Sequence, residues 1–341
     1  MPHARAIADF ANEQPIAYPT ARLMNQVGSL FCEKAKYAEA EPLFRRSLAI
    51  DEHTYGPDHP EVAGYLNNLA QLLNATNRLA EAEPLMRRAL AICDHAYGPD
   101  HPKVATGLSN LAQLLNATNR LAEAEPLMRR ALAIDERFDG PDHPHVAIRL
   151  GNLAALLQEI HQLAEAEPLM RRALAIDEHF YGRDHPNVAT DLNGLAGLLR
   201  ATNRLAEAEP LMRRALAIDE RSYSRDHPNV ANRLNNLAML LQETNQLAEA
   251  EPLISRALAI LEKSYGPDHP DVARALNSLA ALLLAMNRLT EAEPLLRRAL
   301  AIDEQSYGPN HPEVATDLNN LAQLLDATNR LVEAEPLMPA P

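Results

Sequence analysis

The chain has no tryptophan, only 4% aromatic residues, and just two cysteines, Cys32 and Cys93, in 341 residues. With no Cys-x-x-Cys pair there is neither a disulfide framework nor a zinc set. Each isolated cysteine reads as a small buried hydrophobe. A basic surplus is missing too: 32 Lys and Arg face 46 Asp and Glu, a net charge of −14. Phosphate binding needs a basic face, so nucleic acid is not an expected partner, and neither is an anionic membrane surface. No stretch approaches the ~20 apolar residues needed to cross a bilayer. The first twenty residues include Asp9 and Glu13 and lack the apolar run of a signal peptide. A soluble, reducing, cytoplasmic setting is expected. Neither a Gly-x-x-x-x-Gly-Lys-Ser/Thr loop nor a Gly-x-Ser-x-Gly elbow occurs.

What the chain does have is a beat. Ala-Glu-Pro-Leu or a close variant returns every 42 residues, with its proline at Pro42, Pro84, Pro126, Pro168, Pro210, Pro252, Pro294 and Pro336. A His-Pro pair keeps the same interval from His59-Pro60 to His311-Pro312. A period in the range 20–50 residues is the signature of a solenoid, in which each unit packs mainly on its neighbours. The expected fold class is therefore all-α, an α-solenoid.

One unit shows why. After His59-Pro60, Val62, Leu66, Leu69, Ala70, Leu72 and Leu73 recur at gaps of three and four, the mark of an amphipathic helix. Pro60 suits the first turn, and Asp58 can accept hydrogen bonds from the free N–H groups there. Asn74 to Arg78 forms a short polar turn. A second helix runs from about Ala80, with Leu79, Ala82, Leu85, Met86, Ala89, Leu90 and Ile92 as its stripe. Pro84 near its start removes at most about one backbone hydrogen bond. Glu83 and Arg87 form a surface pair four apart. Tyr97-Gly98 closes the helix, with glycine available for a left-handed turn. The spacing predicts seven full helix pairs and an eighth first helix at about 313–328. Segment 1–18, around Ile7, Phe10 and Ala11, is a candidate capping helix. The repeats span 19–338, the eighth being truncated, and 339–341 form a tail.

The pattern resembles the tetratricopeptide repeat. Met24, Val27, Gly28, Phe31, Tyr37, Ala40 and Phe44 match it best, and later units substitute aliphatics such as Leu66, Leu69, Ala70, Leu73, Leu79, Ala82, Met86 and Ala89. The family unit has 34 residues. The longer unit here, with Asn-Asn-Leu-Ala, Glu-Ala-Glu-Pro-Leu, Arg-Ala-Leu-Ala-Ile and Gly-Pro-Asp-His-Pro, is similar to the repeats of kinesin light chain and its bacterial relatives. That resemblance implies a right-handed superhelix whose concave groove, lined by first helices, holds peptide segments of partners.

The same resemblance puts two columns of the first helix on the groove. One reads Asn67, Ser109, Gly151, Asn193, Asn235, Asn277 and Asn319; its neighbour reads Asn68, Asn110, Asn152, Gly194, Asn236, Ser278 and Asn320. Further along come Gln71, Gln113 and Gln323, then Asn74, Asn116, Gln158, Arg200 and Gln242. An amide both donates and accepts, so a ladder of amides can grip an extended backbone. The alternative is that the amides bond neighbouring helices or water. The lysines, Lys34, Lys36, Lys103 and Lys263, fall outside both columns, so capture of a C-terminal carboxylate is not expected. Arg200 and Arg274 are the basic groove residues, opposed by Glu159, Glu243 and Asp326, so an acidic cargo motif is not carried over.

The repeated Asp/Asn-His-Pro triplets are read as caps and turns. Packed helices lie ~8–10 Å apart, whereas zinc–nitrogen bonds are about 2.0–2.1 Å, so equivalent histidines cannot share an ion. His143 and His145, flanking Pro144, make at best a weak metal pair. Residues 69–92 and 111–134 are identical over 24 positions, and near-copies supply a periodic surface where an active site needs one asymmetric constellation. No catalysis, cofactor or dedicated metal is expected. The expected function is a non-enzymatic scaffold for protein or peptide partners. The alternatives are self-assembly into homo-oligomers through open solenoid ends, or the sensor part of a larger signalling system.

Overall fold

A computed structural model of the chain describes residues 17–330 and 333. The candidate capping helix before Ala17, the eighth second helix and the tail at 339–341 lie outside the described residues. Among the described residues fifteen α-helices follow one another. They are α1 Ala17–Cys32, α2 Tyr37–Tyr55, α3 Pro60–Ala75, α4 Leu79–Tyr97, α5 Pro102–Ala117, α6 Leu121–Phe138, α7 Pro144–Glu159, α8 Leu163–Tyr181, α9 Pro186–Ala201, α10 Leu205–Ser222, α11 Pro228–Glu243, α12 Leu247–Tyr265, α13 Pro270–Ala285, α14 Leu289–Tyr307 and α15 Pro312–Ala327. They form seven antiparallel pairs, with α15 as the eighth first helix. None is long and apolar enough to cross a membrane. The chain divides into two compact units, 1–176 and 177–341, with the boundary inside α8.

Within each unit a helix packs most closely on its pair partner and next on the first helix that follows. In the second unit Val230 and Leu234 of α11, Ile260 of α12, Leu276 of α13 and Ile302 of α14 share one buried cluster. In the first, Val146 and Leu150 of α7 meet Ala173 and Ile176 of α8, with Leu132 of α6 beside them. Each such aliphatic side chain contributes about 1.5–3 kcal/mol of burial. The apolar stripe of one pair is thus covered by the next.

The two turns of each repeat have different chemistry. Between paired helices the chain turns through a residue in the αL region, an asparagine at most of these turns, as at Asn77 (φ 56°), but Ala35 and His161 at two of them. The Arg78 N–H reaches the Leu73 carbonyl at 2.7 Å and the Asn77 N–H reaches the Asn74 carbonyl at 3.0 Å. This closes the helix in a Schellman motif, with an asparagine tolerating the left-handed residue. The glycine after the second helix does not take that conformation. Gly98 has φ 88° and ψ 161°, a region open essentially to glycine. Ser224 occupies the equivalent place at φ 128°, at a cost on the order of 1–3 kcal/mol.

The cap of each first helix from α3 onward is the histidine rather than Asp58 or its equivalents. Nδ1 of His59, His101, His143, His185, His227, His269 and His311 accepts the N–H two residues on, at 3.1–3.3 Å. Tyr55, Tyr97, Tyr181, Tyr223, Tyr265 and Tyr307 each stack on the histidine four residues later, with centroids 4.2–4.8 Å apart. The stack fixes the ring so that Nδ1 faces the helix end.

The aromatic and aliphatic repeats differ for a steric reason. A Cβ added at Gly28 would lie 2.7 Å from the Phe44 ring. The next repeats carry Ala70 with Met86 and Ala112 with Met128 at these places. A methyl enters where the ring leaves, so volume is kept. Gly28→Ala is expected to destabilise the chain by about 1–3 kcal/mol through overpacking. Adding Phe44→Met should restore most of that loss. Denaturant unfolding of the single and double variants checks it, and additive effects would refute the coupling.

Candidate functional site

The first helices present the amide columns, because positions 67 and 68 follow directly after the buried run Val62, Ala63, Tyr65 and Leu66 on α3. In the first unit α1, α3 and α5 together frame an open depression of about 470 Å³. Asn67, Asn68, Gln71 and Asn110 line it beside Arg22, Asn25, Glu61 and Tyr65. In the second unit a depression of about 520 Å³ lies between α11 and α13 and carries Gln242 and Asn277. Its apolar lining is Met239, Leu247, Ala281 and Ala285. The other candidates are distributed along the first helices outside these two hollows. Gln71, Gln113 and Asn319 are exposed, while Asn74, Asn110, Asn116 and Asn320 are half-buried.

Part of the ladder is spent between helices. Asn68 Nδ2 donates to Asn25 Oδ1 at 3.1 Å, Asn152 Nδ2 to Ser109 Oγ at 3.4 Å, and Asn236 Nδ2 to Asn193 Oδ1 at 3.0 Å. One column of amides therefore reaches back to the other column of the preceding repeat. At Ser278 the rung is missing, because its hydroxyl bonds its own helix at Arg274 O. Asn235 then donates only weakly to Met239 Sδ at 3.7 Å, and its buried Oδ1 accepts nothing among the described residues. Asn67 Oδ1 and Asn277 Oδ1 are in the same state. Asn277 instead donates to Asp317. Arg200 lies 3.5 Å from Glu243, so its charge is matched within the second unit.

A second column, absent from the sequence reading, runs along the second helices. Asp51, Cys93, Asp135, Asp177, Asp219, Leu261 and Asp303 are all buried. Each stands fourteen residues before a first-helix position occupied by Tyr65, Gly107, Arg149, Asp191, Arg233, Ala275 and Asp317. Asp135 takes Arg149 at 2.7 Å and Asp219 takes Arg233 at 2.9 Å. These arginines continue to Thr106 and Thr190, at 3.2 and 3.0 Å. Burial raises the Asp51 carboxyl, and a hydrogen bond from Tyr65 opposes the shift. The Asp–Asp pairs behave otherwise. Burial, and then the charge of Asp177, pushes Asp191 up to about 8. Burial, and then the charge of Asp317, pushes Asp303 up to about 7. Two close carboxyls in a dry site cannot both ionise, so each pair retains a proton. The signal was readable: positions 82, 86, 89 and 93 make one helical stripe, and Cys93 and Leu261 share the aspartates' register.

The outer face is ionic. Arg78 bridges Glu81 of its own helix at 2.7 Å and Glu41 of the preceding repeat at 2.6 Å. Arg120 repeats this in the first unit, and Arg288 and Arg330 in the second. Gln162 and Gln246 stand at the arginine's place in two other repeats. Such exposed pairs contribute little individually.

The protonated pair gives a testable sign. An acid whose folded pKa lies above its unfolded value loses stability as pH rises. For Asp191 the window runs from about 4 to about 8. The slope is at most about 1.4 kcal/mol per pH unit per group. Asp191→Arg, which copies Arg149 and Arg233, is expected to stabilise the chain more at pH 8 than at pH 5. Equal gains at both pH values, by chemical denaturation, would count against a shared proton.

The tetratricopeptide repeat family pattern matches residues 19–94, 63–137, 104–179, 146–221, 192–263, 229–305 and 279–338. No curated protein matches the chain. Among solved structures, this chain is similar to that of a Podosopora anserina protein assigned as a kinesin light chain with nearly identical TPR-like repeats. The identity is 26%, the TM-score 0.50, and the match covers 60% of this chain and 98% of that one. BtubC (BKLC) from P. vanneervenii is 24% identical with a TM-score of 0.54, over 70% of this chain and 94% of its own. The apo form of RapI shares the fold at 14% identity and a TM-score of 0.59, over 84% and 98%.

Proposed function

Because this chain belongs to the tetratricopeptide repeat family, generally a protein-interaction module, we propose that it is a non-enzymatic scaffold whose first-helix amides hold extended segments of partner polypeptides. The observation that carries this reading is the hollow of about 470 Å³ where three successive first helices bring Asn67, Asn68, Gln71 and Asn110 together. Amide side chains can meet both the N–H and the C=O of an extended strand. Buried amide oxygens without a protein donor, such as Asn67 Oδ1, leave acceptor capacity in the same place. Arg22 and Glu61 offset each other in charge there, which favours an uncharged segment over an acidic or basic one. The hollow of the second unit has an apolar lining at Met239, Ala281 and Ala285, suited to an aliphatic side chain of the bound segment. Two comparable hollows in one chain favour partners that repeat their binding segment, through effective concentration.

The amides are not equivalent, and this makes the reading testable. Asn68 bonds Asn25 across helices, so its loss weakens packing. Among the described residues, neither Gln71 nor Asn110 bonds a neighbouring helix. Peptides selected from a random library against the intact chain should lose at least about tenfold in affinity on Gln71→Ala plus Asn110→Ala, about 1.4 kcal/mol. The melting temperature should be unchanged. If Asn67, Gln71 and Asn110 can all become alanine with no peptide weakened, the amide surface is not the binding surface.

A further inference from the structure

The geometry points to a site for a divalent transition-metal ion, of the zinc, nickel or copper kind, formed by Asp139, His143 and His145 at the junction of α6 and α7. Among the described residues these three are the group whose donor atoms converge, one from each lying within 4.8 Å of the others. Asp139 Oδ2 is 2.8 Å from His145 Nδ1 and 3.6 Å from His143 Nδ1. Bonds of about 2.0–2.2 Å to nitrogen and oxygen place tetrahedral donors roughly 3.3–3.5 Å apart, so the side chains reach an ion by small rotations. Two imidazoles and one carboxylate suit borderline dications, whereas calcium and magnesium take oxygen donors.

Two departures from the repeat create the cluster. Every other junction has a tyrosine stacked on the capping histidine, and here Asp139 stands in its place. The second residue of the first helix is Glu61, Lys103, Asn187, Asn229, Asp271 or Glu313 elsewhere, and here it is His145. Both changes fall on one face of His143, and the two histidine rings sit edge to face at 4.6 Å. The Asp139 side chain is only 16% exposed and the His145 side chain is 58% exposed, so a sheltered anchor lies beneath an open entrance. His143 Nδ1 also accepts the His145 N–H at 3.2 Å, so an ion at that nitrogen replaces the cap bond. The partial positive charge at the start of α7 opposes a cation, which makes the affinity depend on all three donors together. His145 also borders an open hollow of about 330 Å³, leaving the remaining coordination positions to water.

The test uses the intact chain, stripped with chelator, titrated with Zn²⁺ by calorimetry and with Co²⁺ by visible absorption. The expected result is saturation at one ion per chain. Asp139→Tyr and His145→Asn restore residues that other junctions carry, so both variants keep the fold. Each should weaken binding by at least about tenfold, since even an outer-shell partner is worth about 10–100-fold. Lack of saturation by about 1 mM Zn²⁺ overturns the site. So does binding that survives Asp139→Tyr, because two histidines would then suffice.

Discussion

Every repeat depends on what the next repeat places against its second helix. A helix pair buries the stripe it shares internally but leaves the far side of its second helix apolar, with a carboxylate in the middle everywhere except at Cys93 and Leu261. Val62, Ala63 and Tyr65 of α3, or Val230 and Ala231 of α11, supply the cover from the following first helix. A buried charge without a partner costs several kcal/mol. The covering helix must therefore deliver an answering group as well as apolar area. Arg149 and Arg233 deliver a guanidinium, and Ala275 packs in one apolar cluster with Leu261. Asp191 and Asp317 answer a carboxyl with another carboxyl, and burial together with the neighbouring carboxylate raises the pKa of Asp191 and of Asp303.

The same register governs the surface that a partner would meet. First helices sit side by side at a spacing that lets Asn68 touch Asn25 and Asn236 touch Asn193, residues 43 apart in sequence. Amides thus serve two ends, joining one repeat to the next and lining the hollows. A substitution in a column acts on packing wherever its amide bonds the neighbouring helix, as at Asn68 and Asn236. Ser278 interrupts the column with a shorter side chain that bonds its own helix, whereas Ser109 still accepts from Asn152, and such differences give individual repeats of a near-identical array separate identities.

The sequence made the helices legible almost to the residue. The expected first helix at 313–328 is Pro312–Ala327, and the second helix expected from Ala80 begins at Leu79. Spacing of three and four is a local property, and apolar burial enforces it. Caps were harder, because aspartate and histidine adjoin at each helix entry. The histidine is the cap at every one of these entries, including His143, where no tyrosine stands four residues earlier. Glycine was expected in a left-handed turn, but asparagine holds the left-handed residue, at the opposite end of the pair. The amide columns could be located on a helix face, yet which amides pair depends on the offset between neighbouring helices. The buried aspartates escaped notice since charge suggested solvent, even though their position on the stripe placed them inside.

That fourteen-residue correspondence across the repeat boundary carries a consequence for how such an array changes length. Near-identical units invite unequal exchange, in which one unit is lost or copied. Loss of the unit holding Tyr65 and Cys93 would set Asp51 against Gly107, and loss of the one holding Arg233 and Leu261 would set Asp219 against Ala275. Either splice strands a carboxylate in an apolar joint. Removal of two units together, from Arg149 through Asp219, sets Asp135 against Arg233 and keeps a matched joint. The array can grow or shrink only at those seams where the spelling on both sides agrees.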